Sequence, residues 1–323
     1  MPDTSTPLFS LLNGEGAGAM LGAAAGDVAG GRSPVGYSAY TQQATIVAYH
    51  LMRNDSIDRP ALSDDLLELG PDGINPSVYR ASSEQFDSWL EAVMKGEAAA
   101  TAEPSSEPAA RCYPVGVWFR REPGRLVPAA MAVARLTHID AATVVAAAAL
   151  AGATAACSFA QNGRDLILGC AEVAERAITE LMTEDYLYSR IDGAREFLAR
   201  LRQATDLVGT SADELTLRLG GESGLSATDW PIVAMVLASE VKVEPYRQIE
   251  AAALAGGSIL ATMVGALIGA RIGIRSWPWV VPNDTWFAEI GRRLVSADRE
   301  TRDLPVPYRV EEHLTFARER DLL

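Results

Sequence analysis

The chain has 323 residues, 48% hydrophobic and 22% charged, which is ample material for one large globular core. Its formal net charge of −14, with no basic cluster, excludes the usual electrostatic footprint of a nucleic-acid binder. Three cysteines, Cys112, Cys157 and Cys170, show no CxxC spacing, so they offer neither a disulfide framework nor a zinc site and match a reducing cytoplasm.

Helical patterning runs through nearly the whole chain. No basic segment followed by a long apolar one opens it, so no signal peptide is expected. Gly16 to Ala29 reads as a helix of small residues, and Gln43 to Met52 as a second, apolar helix. The second helix opens on two glutamines, Gln42 and Gln43, where the helix dipole favours Asp or Glu. Ser63 to Leu69 begins with a serine cap and an acidic first turn, and Ser82 to Met94 carries Phe86, Trp89, Leu90 and Val93 on one face. Residues 95–108, KGEAAATAEPSSEP, have the composition of a flexible loop, and Val115 to Phe119 is the best strand candidate.

Further helices are predicted at Val127 to Leu136, Ala141 to Ala160, Asp165 to Leu181, Asp192 to Thr205 and Ser211 to Leu219. Another is capped by Asp229 with Pro231 in its first turn, and another starts at Pro245 and runs into a small-residue segment. Two uncharged runs, 141–163 and 251–270, are long enough to cross a bilayer, and the second holds the small-xxx-small pair Gly265 and Gly269. Their alanine and glycine content reads instead as central helices buried on all sides, so no membrane association is expected. Trp277, Trp279 and Trp286 look like an aromatic loop closing one end, and residues 297–323 like a charged, arginine-rich surface tail. The expected architecture is a single all-α domain over 1–323.

Four stretches in order resemble the ADP-ribosylglycohydrolase family, over roughly residues 14 to 290. They are GAMLGAAAGDVAG (Gly18 to Gly30), YTQQATIVAY (Tyr40 to Tyr49), RCYPVGVW with ARLTHID (Arg111 to Trp118 and Ala134 to Asp140), and AALAGGSILATMVGALIGARIG (Ala252 to Gly273). The family counterparts are a Gly/Ala helix ending in Gly-Asp, a Tyr-Thr-Asp-Asp-Thr segment, a Met-Arg-x-x-Pro-Leu-Gly segment followed by Leu-Thr-His, and a Gly-Gly-Asp-x-Asp-Thr helix. The resemblance implies an orthogonal multi-helix bundle. It also implies hydrolysis of a glycosidic bond to ADP-ribose, assisted by two Mg²⁺ ions held on carboxylates, since hard cations take oxygen ligands.

Placed residue by residue, the family's acids are missing. The adjacent aspartates fall on Gln42 and Gln43, and the late Asp-x-Asp-Thr falls on Gly256, Gly257, Ser258 and Ile259. The early glutamate falls near Gly36, and the glycine-rich diphosphate turn falls on residues 106–110, where Glu107 and Pro108 stand. Amides, glycine and serine are what a metal-free pocket needs, because clustered aspartates without a cation repel one another. No cofactor or metal is therefore expected.

The groups left for chemistry are Asp27 and His138 as catalytic candidates, with Thr41, Gln42, Gln43, Arg111 and Ser258 as ligand-binding candidates. A histidine titrates near neutral pH, and an arginine grips phosphate or carboxylate bidentately. Each has a plainer role open to it: helix-junction carboxylate, helix-end histidine, structural ion pair, polar filler. Three functions remain: a metal-independent enzyme on a ribosylated, nucleotide-like or other small molecule; a catalytically inactive binding or scaffold protein; and a Mg²⁺-dependent hydrolase with displaced ligands from Glu15, Glu222 or Asp229.

Overall fold

Two helices with glycine at every fourth position form the centre of the molecule. In this computed structural model, which describes residues 6–71, 76–97, 99–157, 159–160, 162–183, 191–221, 224–242, 244–273, 277–296 and 300–321, α1 (Thr6–Ala29) crosses α12 (Pro245–Ile272) backbone to backbone. A Cβ built on Gly22 would stand 2.1 Å from the Gly265 carbonyl oxygen, and one on Gly265 would stand 2.0 Å from that of Gly22. Gly18 and Gly269 meet in the same way, at 2.1 and 1.9 Å. On another face α1 meets α13 (Asp284–Val295) through Gly16 and Gly291. The small-xxx-small pattern is thus spent on close packing at the core.

Around this seam pack four helices that are buried along most of their length: α2 (Ala39–Asn54), α5 (Glu107–Trp118), α7 (Ala141–Ala156) and α11 (Trp230–Ser239). The outer shell consists of α3 (Arg59–Leu67), α4 (Glu84–Met94), α6 (Pro123–Ala134), α8 (Gly163–Met182), α9 (Asp192–Gln203) and α10 (Ala212–Gly220). Several of these show one buried stripe, as Phe86, Trp89 and Leu90 do on α4. The all-α expectation holds: the described residues contain isolated bridges at Ser33–Gly36 and Thr101–His138 but no extended strand. One helix among them, α12, is long and apolar enough to cross a membrane, and 61% of its apolar window is buried within the protein.

Three expectations change. Val115 to Phe119 is not a strand, because residues 115–118 are the last turn of α5, where β-branched residues pack on the core. The loop at 95–108 ends early, with Glu107 and Pro108 forming the buried first turn of α5. The segment after Ala297 is not wholly a surface tail, since α14 (Pro307–Asp321) brings Glu311 to full burial.

Candidate functional site

The site expected from the resemblance lies where the end of α1, the start of α2 and the start of α5 meet. Asp27 is buried in the last turn of α1. Its Oδ2 accepts from Ser38 N (2.9 Å), Ser38 Oγ (3.0 Å), Thr41 N (3.3 Å) and Thr41 Oγ1 (2.8 Å). The first turn of α2 has no acid of its own, so α1 supplies the anion that the helix N-terminus favours. Burial pushes the Asp27 carboxyl above its ordinary range, and these four hydrogen bonds pull it back. Its Oδ1 is buried with no partner among the described residues, and so is the hydroxyl of Tyr113.

Gln43 bridges two buried charges. Its Nε2 donates to Glu107 Oε1 (2.8 Å), while its Oε1 accepts from Arg111 Nη1 (2.8 Å). Glu107 Oε2 also accepts from Ser83 Oγ at 2.5 Å. Arg111, fully buried, goes on to donate to Thr137 Oγ1, which lies 2.7 Å from His138 Nδ1; His138 Nε2 then sits 3.2 Å from Gln85 Oε1. Burial and the Arg111 charge push the His138 pKa down to about 3. The imidazole is therefore neutral at pH 7, with both nitrogens engaged, and holds no proton to give as a general acid.

Gln42 does the same on the neighbouring face. Its Nε2 donates to Val78 O (2.9 Å) and Glu311 Oε2 (3.1 Å), and its Oε1 accepts from Arg80 N (2.9 Å). Glu311 also pairs with Arg80 Nη2 at 2.7 Å and accepts from the Tyr37 hydroxyl at 3.1 Å. The Arg80 guanidinium lies 4.6 Å from the Tyr37 ring centroid. A carboxylate at 42 or 43 accepts only and would face Glu311 or Glu107 with like charge. An amide both donates and accepts, which is the chemistry each position requires.

Ser258 occupies the break in α12, where Gly257 takes φ +64°, a conformation that favours glycine. Its Oγ donates to Asp27 O (3.2 Å) and accepts from Arg32 N (3.3 Å). The Arg32 side chain then closes the outside: it donates to Ala81 O (2.6 Å), Ser82 O (2.9 Å) and the Tyr40 hydroxyl (3.0 Å). Ala81 adopts φ +47° to present that carbonyl.

The structure therefore gathers Asp27, Thr41, Gln42, Gln43, Arg111, His138 and Ser258 around one region, but saturates most of their polar atoms internally. The resemblance implies two Mg²⁺ ions, and these side chains do not fit them. Among the described residues the uncommitted carboxylate oxygen in this group is Asp27 Oδ1, and no three His, Cys, Asp or Glu side chains converge. The displaced-ligand candidates lie elsewhere: Asp229 pairs with Arg200 at 2.9 Å, Glu15 stands more than three turns before Asp27 on α1, and Glu222 is outside the described residues. Cavities of about 450, 250 and 470 Å³ open on other faces, and none of the three is lined by a predicted site residue.

Trp277 and Trp279 pack half-buried against the core, and Trp286 donates to Pro305 O at 3.1 Å, so the aromatic loop serves packing. Sequence reasoning missed Arg80, Tyr37 and Glu311. Glu311 is one acid among many in a charged segment, and nothing local marks it as buried.

A family model for ADP-ribosylglycohydrolase matches residues 15–304. A search of curated proteins finds no match. A solved structure described as "ADP-ribosylglycohydrolase-related protein complex" superimposes with a TM-score of 0.60 at 16% identity, over 88% of this chain and 98% of that one.

Proposed function

The chain belongs to the ADP-ribosylglycohydrolase family, and on that premise we propose that it is a catalytically inactive binding or scaffold member of the family rather than a hydrolase, its family site filled by its own side chains. The observation that carries this reading is the Gln43 amide holding Glu107 with one end and Arg111 with the other. Both ends of Gln42 are likewise committed, and Glu311 arrives from the far end of the sequence to complete the filling. A ligand entering here would have to displace buried charge pairs, each of which leaves an uncompensated partner behind.

The test is direct. The protein is incubated with N- and O-linked ADP-ribosyl peptides with and without Mg²⁺, and its melting temperature is followed with Mg²⁺, Mn²⁺, ADP-ribose, NAD and nicotinamide mononucleotide. The expected result is no released ADP-ribose and no shift, because a ligand that binds the native state must raise its stability. Release of ADP-ribose, or a magnesium-dependent shift, overturns the reading.

The metal-independent enzyme is favoured by one specific observation. Asp27 Oδ1 and the Tyr113 hydroxyl are both buried with no partner among the described residues, and the Asp27 charge adds to the burial that raises the Tyr113 phenol. Perturbed groups of this kind mark active sites more often than chance. Turnover of any nucleotide-like probe that is lost in Asp27→Asn supports this second reading.

A further inference from the structure

The cavity of about 450 Å³ lies between the later turns of α2, the end of α3 and the connector 301–307 that leads into α14. Its volume falls within the range of small-molecule sites. Its floor is apolar: Ile46, Leu69 and Leu304 are all buried. Its rim carries four charges of two kinds. Asp65 and Arg53 are engaged, Asp65 Oδ2 lying 2.6 Å from His50 Nδ1 and Oδ1 3.3 Å from Arg53 Nη1. Glu68 and Arg302 also line the cavity, and neither side chain has a hydrogen-bond or ion-pair partner among the described residues.

We infer that this cavity is a binding site for a small zwitterion with an apolar body, the chemistry of a free apolar amino acid. Its carboxylate would meet Arg302, its ammonium would meet Glu68, and its side chain would cover Ile46, Leu69 and Leu304. The pairing follows from what each group lacks. A guanidinium offers two parallel donors that match a carboxylate. Partial burial, and after it the nearby Asp65 charge, raise the Glu68 carboxyl above the ordinary range against the opposing pull of Arg53, and an added cation relieves both raising effects. A simple anion would satisfy Arg302 and leave Glu68 facing Asp65. A simple amine would do the reverse. A molecule with both charges pairs the two side chains that have no partner among the described residues, Arg302 and Glu68, while an apolar body fills the floor.

Burial of apolar surface then adds to the charge pairing. The roof of the cavity is held in place by its neighbours, since the Tyr49 hydroxyl (2.6 Å) and Trp286 Nε1 (3.1 Å) both donate to Pro305 O. The site is preformed, and its occupancy does not depend on how the family site is read.

The experiment is calorimetric titration of the full chain with L-leucine, L-phenylalanine and L-tryptophan, beside N-acetyl-L-phenylalanine and L-phenylalaninamide as blocked forms. Saturable binding of at least one zwitterion is expected, with the blocked forms about tenfold weaker or worse, as loss of a charged hydrogen bond predicts. Arg302→Ala and Glu68→Gln should each weaken binding about tenfold while leaving the ligand-free melting temperature unchanged, because both side chains are exposed. Absence of binding by all three zwitterions overturns the proposal. So does binding that is equal for the blocked forms, or indifferent to both substitutions.

Discussion

The glycine seam and the polar site are the two most constrained regions of the molecule, and they are constrained in opposite ways. Along α1 and α12 nothing protrudes: Gly22 and Gly265 bring two backbones into contact, and any side chain overlaps a main-chain oxygen. At the polar site everything protrudes, and side chains from α1, α2, α5, α12 and α14 complete one another's hydrogen bonds. The seam tolerates no addition, whereas the site tolerates no subtraction. The seam depends on local sequence spacing. The site depends on partners that approach from far away in the chain.

The seam should fail most completely. Gly22→Val places a branched side chain on the Gly265 carbonyl, and no rotamer avoids it, so a loss beyond about 4 kcal/mol and no soluble folded protein is expected. Gly169→Ala on α8, whose new Cβ meets nothing within 4 Å, should instead raise the melting temperature, by roughly 0.5–1 kcal/mol of backbone entropy. Circular dichroism melts of the two variants decide it. A folded Gly22→Val would show that the crossing is looser than the contact distances state.

The polar site should lose less and recover in pairs. Arg111→Met removes the cation that Gln43 shares with Glu107 and leaves that acid buried, which costs about 3–5 kcal/mol. Adding Glu107→Gln should return part of that loss, because the uncompensated charge goes with it. Denaturant midpoints for the two singles and the double close the cycle. Strict additivity would mean that the bridge through Gln43 couples nothing. A loss of the same order, about 3–5 kcal/mol, is expected for Glu311→Gln, which keeps an acceptor for Tyr37 and Gln42 but leaves Arg80 buried without its charge partner.

This contrast also explains what could be read from the sequence. Helical periodicity, the glycines four residues apart and the order of four motifs locate the bundle and its central helices, because each of those signals is local. The motif positions also bring Asp27, Gln42, Gln43, Arg111, His138 and Ser258 to one region. What they do there was not legible. Gln42 and Gln43 look like substitutions for missing acids until Glu311 and Glu107 are seen to supply acids from other elements. Glu311 lies 269 residues from Gln42, in a segment whose composition reads as solvent-exposed. Val115 to Phe119 reads as a strand because β-branched and aromatic residues suit any buried surface, and burial inside a helix overrode the propensity.

A last test separates a filled site from a working one through pH. His138 has an ordinary pKa of 6.5 and is held at about 3 in the folded chain by burial and by Arg111. Between those values the unfolded chain binds a proton that the native chain refuses, so this residue's contribution is complete above pH 6.5 and is lost as pH falls toward 3. Asp27 and Glu311 work in the opposite sense. Their raised carboxyls favour the folded state at low pH and lose that contribution as pH rises through their folded values. The informative quantity is therefore the difference between the melting curves of wild type and His138→Gln. That difference should widen in favour of wild type as pH rises from about 3 to 6.5 and stay level above it. Parallel curves across that window would mean that the imidazole takes up its proton in the native state. It would then regain the acid–base role that its motif position first implied, and the filled-site reading would lose one of its supports.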